Sequence, residues 1–133
     1  MIFKRKDSGF TLVEILLVAA ILFYAISVIL ATFVGSVGLN EASRNLMTAT
    51  SHAEYVMESV KNTAFANIAT SITSGTWNWN TATVTSNGLT ALNSESITTA
   101  SSGTNPLTVT VTVSWNDTHG RSRTKALQTL MSG

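Results

Sequence analysis

Side chains that could support catalysis or bind a metal are few and scattered in this sequence. The chain has 133 residues with two histidines, seven acidic residues and no cysteine. Asp117 lies near His119, but two loop residues without further ligands make a poor metal site. No nucleophile, base and orienting acid can be combined from these residues. We therefore predict no enzyme, no cofactor and no metal, and we expect His52 to be a solvated residue on a helix face.

Two tryptophans are the best candidates for ligand binding. Trp77 and Trp79 alternate with asparagines, so in an extended segment both indoles lie on one face. If they are exposed, the pair indicates binding to carbohydrate or to a surface. We favour the other interpretation, in which they pack against a helix or sheet.

The charge distribution argues against a nucleic-acid partner. The formal net charge is +1, and the basic residues form only two short clusters, one at residues 4–6 and one at Arg121, Arg123 and Lys125. Nucleic-acid binding usually needs a larger basic surface. The second cluster alternates along a predicted strand, where we expect a solvated edge that resists aggregation; a docking surface for another subunit is the alternative.

The element that dominates the chain is an uncharged apolar stretch. Residues 15–39 carry no formal charge, and as a helix they extend over roughly 37 Å, enough to cross a hydrocarbon core of about 30 Å. The basic residues before it predict a cytoplasmic start and an exported C-terminal part. A secretory signal peptide has a shorter apolar core followed by a small-residue cleavage site, so we expect this span to remain in the mature protein.

One acidic residue, Glu14, interrupts the apolar pattern near its start. A carboxylate inside a membrane costs several kcal/mol, with estimates beginning near 2.5, unless it has a partner. Glu14 therefore either lies close enough to the cytoplasmic surface to reach headgroups or pairs with another group.

The residues around Glu14 resemble a known processing signal. Residues 4–14 read KRKDSGFTLVE. This run resembles the leader junction of type IV prepilins and pseudopilins, which has a short basic leader ending in Gly, then an aromatic residue, then an apolar helix with Glu as fifth mature residue. The resemblance implies that residues 1–9 are a leader, that prepilin peptidase cleaves between Gly9 and Phe10, and that Phe10 becomes N-methylated. It also implies an assembly role for Glu14, which would pair with the N-terminal amine of an adjacent subunit.

The same resemblance implies a function. It indicates a structural subunit, major or minor, of a type IV pilus-like filament or a type II secretion pseudopilus. Partners would be homologous subunits in a helical filament, the prepilin peptidase, an inner-membrane assembly platform and, before assembly, membrane lipid. The chain would cross the inner (cytoplasmic) membrane once, with a cytoplasmic N-terminus, and then enter a periplasmic or extracellular filament. A membrane-anchored adhesin or ligand-binding module is the alternative, and a plain single-pass anchor is a further one.

The helical pattern continues beyond the apolar stretch. We predict one helix over residues 11–68, whose first half is the membrane and assembly segment and whose second half packs on a sheet. Small residues recur every four positions at Ser27, Ala31 and Gly35, which indicates either a helix-packing face or chance. In the second half, an apolar stripe has three- or four-residue spacing and consists of Leu46, Ala49, Ala53, Val56, Val60 and Ala64.

The C-terminal part predicts an antiparallel hairpin. Apolar residues and hydroxyl residues alternate strictly over residues 107–115, residues 116–120 supply a turn, and residues 121–131 return as the partner strand. Residues 70–105 read as loop with short strands, including a weak strand at residues 81–85.

These elements predict an α+β fold of pilin-like type, with a long N-terminal helix on a small antiparallel sheet. We expect a leader at residues 1–9, a transmembrane and assembly helix at residues 10–39, and an exported head at residues 40–133. Within the head, the helix continues over residues 40–68 and the loop and sheet follow over residues 70–133.

A looser resemblance concerns the exported head. Trp115, Asp117, Gly120 and Arg123 in the terminal hairpin, with Glu54 on the helix, resemble the minor group of the family. That group includes type IV pilus modification proteins and I-type minor pseudopilins of type II secretion. Some pseudopilins hold calcium on clustered acids near the C-terminus, which Asp117 alone cannot reproduce.

Overall fold

The computed structural model describes residues 11–133 and has the predicted α+β architecture. A long N-terminal helix packs against a four-stranded antiparallel sheet, an arrangement consistent with a pilin-like fold. The chain divides into two compact units between Asn40 and Glu41. The elements in chain order are α1 (Leu12–Lys61), α2 (Phe65–Thr73), β1 (Trp79–Asn80), α3 (Thr81–Ser86), β2 (Ser96–Ser102), β3 (Leu107–Asn116) and β4 (Ser122–Met131).

The second half of α1 supplies one side of the core. Four members of the predicted apolar stripe are fully buried, whereas Leu46 is half exposed and Ala64 is exposed. Residues at spacings of three and four fall on one side of a helix, which explains why the stripe is buried as a unit. The buried residues of α1 are Ala49, His52, Ala53, Val56, Met57 and Val60.

The predicted continuous helix to residue 68 is wrong, because α1 ends at Lys61 and α2 begins at Phe65. At the break, the Thr63 N–H donates to the Val60 carbonyl at 3.0 Å, three residues earlier, as in a 3₁₀ turn, instead of four residues earlier as in an α-helix. Ala64 then adopts an extended backbone (φ −56°, ψ 132°). After the break, α2 buries Ile68 and Ile72 in the core.

The sheet has the order β1-β2-β3-β4, and every neighbouring pair is antiparallel. The predicted hairpin is confirmed: β3 pairs with β4 from Leu107↔Met131 to Asn116↔Ser122. Burial alternates along β3 as the sequence predicts, and β4 is an edge strand whose first residues are exposed. The inward side chains of β3 join the stripe of α1 in one hydrophobic core.

The segment between α2 and β3 contains β1, α3 and β2, and of these the helix α3 differs from the prediction. Residues 81–85 form most of α3 instead of a weak strand. The Asn80 Oδ1 accepts the Thr83 N–H at 2.9 Å, so an N-cap starts this helix despite its β-branched residues. The strand β2 agrees with the prediction of loop with short strands over residues 70–105, and it pairs with β3 from Ser96↔Ser114 to Ser102↔Thr108.

Candidate functional site

The N-terminus of α1 contains the predicted assembly residue. The Thr11 Oγ1 accepts the Glu14 N–H at 3.3 Å, and the Thr11 carbonyl accepts the N–H groups of Glu14 and Ile15 at 3.0 and 3.2 Å. Thr11 thus acts as an N-cap, and Glu14 lies in the first turn, where a carboxylate interacts favourably with the helix dipole. Glu14 therefore stabilises its own helix before any partner is considered. The predicted cleavage pair, Gly9 and Phe10, lies outside the residues that the structure describes.

The first half of α1 presents an uncharged apolar surface. The large apolar side chains of residues 12–39 are all exposed, with Phe23 at 73% and Leu39 at 75% exposure. A helix of this length and composition is long and apolar enough to cross a membrane.

Three hydroxyl side chains within this surface form hydrogen bonds to the backbone of the helix itself. The hydroxyls of Ser27, Thr32 and Ser36 donate to the carbonyls four residues earlier at 2.8, 2.9 and 2.9 Å. Such bonds lower the cost of placing a hydroxyl in hydrocarbon. A Cβ added at Gly35 would meet no atom within 4 Å, so this position of the proposed small-residue stripe is open for close packing.

A buried histidine–carboxylate pair lies inside the head. The His52 Nδ1 is 2.6 Å from the Glu95 Oε1, and their side chains are 4% and 0% exposed. The expectation that His52 is solvated is wrong, because it lies between Ala49 and Val56 on the buried stripe of α1. The second oxygen of Glu95 accepts the Leu92 N–H at 2.7 Å. Because a carboxylate oxygen accepts, we assign the imidazole proton to Nδ1.

This pair connects α1 to the segment between α3 and β2. The Thr81 Oγ1 donates to the Glu95 carbonyl at 3.1 Å, and the Asn116 N–H donates to the Asn93 carbonyl at 2.9 Å. Ser94, beside Glu95, has a positive φ of 53°, a conformation that non-glycine residues seldom adopt. The pair therefore holds an irregular segment of the head to α1.

The two tryptophans are packed, as we favoured from the sequence. Trp77 is 5% exposed and its Nε1 donates to the Ser59 Oγ at 3.0 Å. Trp79 is 9% exposed, and its ring lies 5.9 Å from that of Tyr55. Both indoles are thus buried in the packing of the head, although the edge of Trp79 borders a cavity of about 330 Å³ that Tyr55, Glu58, Ser59, Asn62 and Asn87 also line.

The turn between β3 and β4 is organised by one carboxylate. Asp117 Oδ1 accepts the N–H groups of His119 and Arg121 at 3.0 and 2.9 Å, and Asp117 Oδ2 accepts the Nε–H groups of Arg121 and Arg123 at 2.9 and 3.3 Å. The pKa of Asp117 is lowered from 3.8 to about 2, chiefly by the hydrogen bond from the backbone N–H of Arg121. Partial desolvation raises this pKa, whereas the Arg121 guanidinium and the His119 N–H lower it further. This turn keeps a rigid shape and a fixed carboxylate charge.

A polar cavity of about 300 Å³ lies beside this turn. The Thr118 Oγ1 donates to the Glu41 Oε2 at 3.3 Å and so links the turn to α1. The cavity is lined by Glu41, Arg44, Asn45, Thr48, Thr90, Ala91, Leu92, Asn93, Asn116 and Thr118.

Among residues 11–133, no three His, Asp or Glu side chains converge as metal ligands. Comparisons of the chain with protein-family models, with curated proteins and with solved structures gave no match.

Proposed function

We propose that this chain is a structural subunit, major or minor, of a type IV pilus-like filament or a type II secretion pseudopilus. The observation that carries the proposal is an exposed, uncharged helix surface preceded by Glu14 and joined to a folded α+β head. A leader-like junction at Gly9 and Phe10 stands directly before this helix in the sequence. Helix, acid and junction together fit a subunit that is held in the membrane and then withdrawn into a filament.

The assembly step follows from the cost of charges in lipid. Cleavage after Gly9 would place a cationic amine at Phe10, four residues before Glu14. An unpaired carboxylate within a bilayer is unfavourable, and an opposite charge from a neighbouring subunit removes much of this cost. Glu14 would then favour the register in which it meets the amine of the adjacent chain. The partners are homologous subunits, the prepilin peptidase and a membrane assembly platform.

The alternative of an anchored adhesin or ligand-binding module has less support. Its aromatic candidates, Trp77 and Trp79, are buried. Two cavities favour it: the polar cavity beside the β3–β4 turn, whose walls include no aromatic ring, and a cavity of about 330 Å³ beside Tyr55 and the largely buried Trp79. We therefore favour the structural subunit.

The first test is the intact mass and N-terminal sequence of the protein purified from its native membrane or filament fraction. We expect a chain that begins at N-methylated Phe10. A chain that retains residues 1–9 in assembled material would contradict the proposal and favour a simple membrane anchor.

A matched pair of substitutions tests the assembly role. Glu14→Gln and Glu54→Gln each remove one exposed carboxylate from α1. We expect Glu14→Gln to leave processing and membrane level unchanged but to remove the protein from sheared filaments, whereas Glu54→Gln assembles normally. Equal filament yields for both variants would show that Glu14 is only a helix-capping and interfacial residue.

A further inference from the structure

The turn between β3 and β4 contacts Glu41, the residue that follows the apolar stretch. Residues 15–40 carry no formal charge and extend as a helix over roughly 39 Å, close to the 40–45 Å of a bilayer with its headgroups. Glu41 is the next residue, and its Oε2 accepts the Thr118 hydroxyl of the turn. Glu41 is joined to the span by one peptide bond, so in a spanning helix it lies at headgroup level and the turn contacts it there.

The turn carries two arginines whose outer ends are free to bind. Their side chains are 63% exposed for Arg121 and 50% for Arg123. Each donates its Nε–H to Asp117, and within residues 11–133 neither uses its terminal Nη groups in a hydrogen bond. Asp117 thus fixes the orientation of both guanidiniums and leaves their Nη donors facing solvent, the arrangement that suits a phosphate.

The charge of this region is positive. Arg44 lines the polar cavity together with Thr118, and Lys125 follows Arg123 on the same side of β4. Four basic side chains thus stand near the turn with two carboxylates, Glu41 and Asp117. A cationic surface beside a membrane attracts anionic lipid over roughly a Debye length of 8–10 Å.

We propose that the β3–β4 turn is a lipid-docking site, in which Arg121 and Arg123 bind headgroup phosphates of anionic phospholipids on the exported side of the membrane. This inference rests on the membrane crossing by α1 in the proposed function. Docking holds the head against the membrane before assembly and is released when the subunit is extracted.

The test uses the full-length chain, which has no cysteine, with a fluorophore attached at His119→Cys. The protein is reconstituted in vesicles of phosphatidylcholine, alone or mixed with phosphatidylglycerol, with a quencher on the lipid headgroups. We expect strong quenching in the anionic vesicles and weak quenching in the neutral vesicles. High salt should remove this difference, because it screens the attraction between the arginines and the anionic headgroups. Removing both arginines (Arg121→Gln with Arg123→Gln) is expected to lower the ratio of docked to undocked protein roughly tenfold or more, because each basic residue near an anionic surface contributes a several-fold change.

Two controls separate docking from general effects. Lys61→Gln removes an exposed basic residue from the last turn of α1 and is expected to leave quenching unchanged. Replacing both arginines with lysine keeps the charge but loses the paired donors, so partial docking is expected. Unchanged tryptophan fluorescence of each variant confirms that the head remains folded.

Several results would overturn the inference. Equal quenching in neutral and anionic vesicles, or in the double glutamine variant, would show that the turn does not dock on lipid. Quenching that follows protein density instead of lipid charge would assign the surface to a second copy of the chain. A protein that alkaline washing extracts from the vesicles would contradict membrane crossing itself, and with it both this inference and the proposed function, whereas an inserted but undocked protein would contradict this inference alone.

Discussion

Removing the imidazole of His52 should destabilise the head far more than any surface change. His52→Ala leaves the fully buried Glu95 carboxylate with the Leu92 N–H as its remaining side-chain partner. Breaking a buried pair in this way typically costs about 3–5 kcal/mol, because one polar group stays in a low-dielectric interior without compensation.

The size of this effect can be compared with the total stability of the head. Residues 41–133 form one compact unit of roughly 90 residues, for which the usual range of unfolding free energy is about 5–14 kcal/mol. The substitution therefore removes a large share of it. At about 4–8 °C for each kcal/mol, we expect the midpoint of thermal unfolding to fall by more than about 12 °C.

The assay is thermal and urea unfolding of the full chain in detergent micelles, followed by tryptophan fluorescence. All three tryptophans (Trp77, Trp79 and Trp115) are buried in the head, so the signal reports on its core. The control Glu54→Gln changes an exposed carboxylate on the same helix and should shift stability by less than about 0.5 kcal/mol.

A double substitution tests the physical reason. Replacing both His52 and Glu95 with leucine removes the two polar groups together, and we expect this variant to be more stable than His52→Ala. If His52→Ala costs less than about 1 kcal/mol, or if the double variant is worse than the sum of the single changes, the account of an uncompensated buried carboxylate is wrong.

Three further changes test local features of the head. Asn80→Ala removes the cap that accepts the Thr83 N–H, and a loss of about 1 kcal/mol in the free energy of unfolding is expected by urea denaturation. Trp77→Phe keeps one aromatic ring but loses the bond to Ser59 and part of the buried indole, so a loss of at least about 1 kcal/mol is expected in the same assay. Asp117→Asn should lower the midpoint of thermal unfolding above about pH 4, where the carboxylate is ionised in the folded and the unfolded protein. The pKa of Asp117 is about 2 in the folded protein and 3.8 ordinarily, so ionisation of this group stabilises the fold. In a pH series of melting curves, the difference between wild type and variant should therefore shrink as the pH falls from about 4 and disappear below about 2.

The regular elements of this fold could be read from the sequence because their patterns are local. Strict alternation over residues 107–115 matched β3, which begins at Leu107 and pairs with the return strand. The uncharged run of α1 and its apolar stripe predicted the long helix and the side that packs. In each case neighbouring residues repeat with the period of one structure, so no knowledge of distant contacts was needed.

The errors occurred where distant or cap interactions decide the structure. Residues 81–86 have β-branched types that favour strands, yet the Asn80 cap starts a helix there. The pairing of His52 with Glu95 joins positions 43 apart in sequence, which no local pattern indicates. The burial of His52 alone is predictable from its spacing, because it lies three residues after Ala49 and four before Val56 on the buried stripe.

The hydroxyl groups in the apolar half of α1 have a consequence for how that helix meets its neighbours. Ser27, Thr32 and Ser36 each bond to the backbone of their own helix, so the number of hydrogen bonds is the same in lipid and against protein. Rotation or sliding of this segment against a neighbour therefore neither gains nor loses a hydrogen bond at these three hydroxyls. These hydroxyls therefore do not fix the axial register of the helix against a neighbour. The register depends on other features, among them Glu14 near the start of α1.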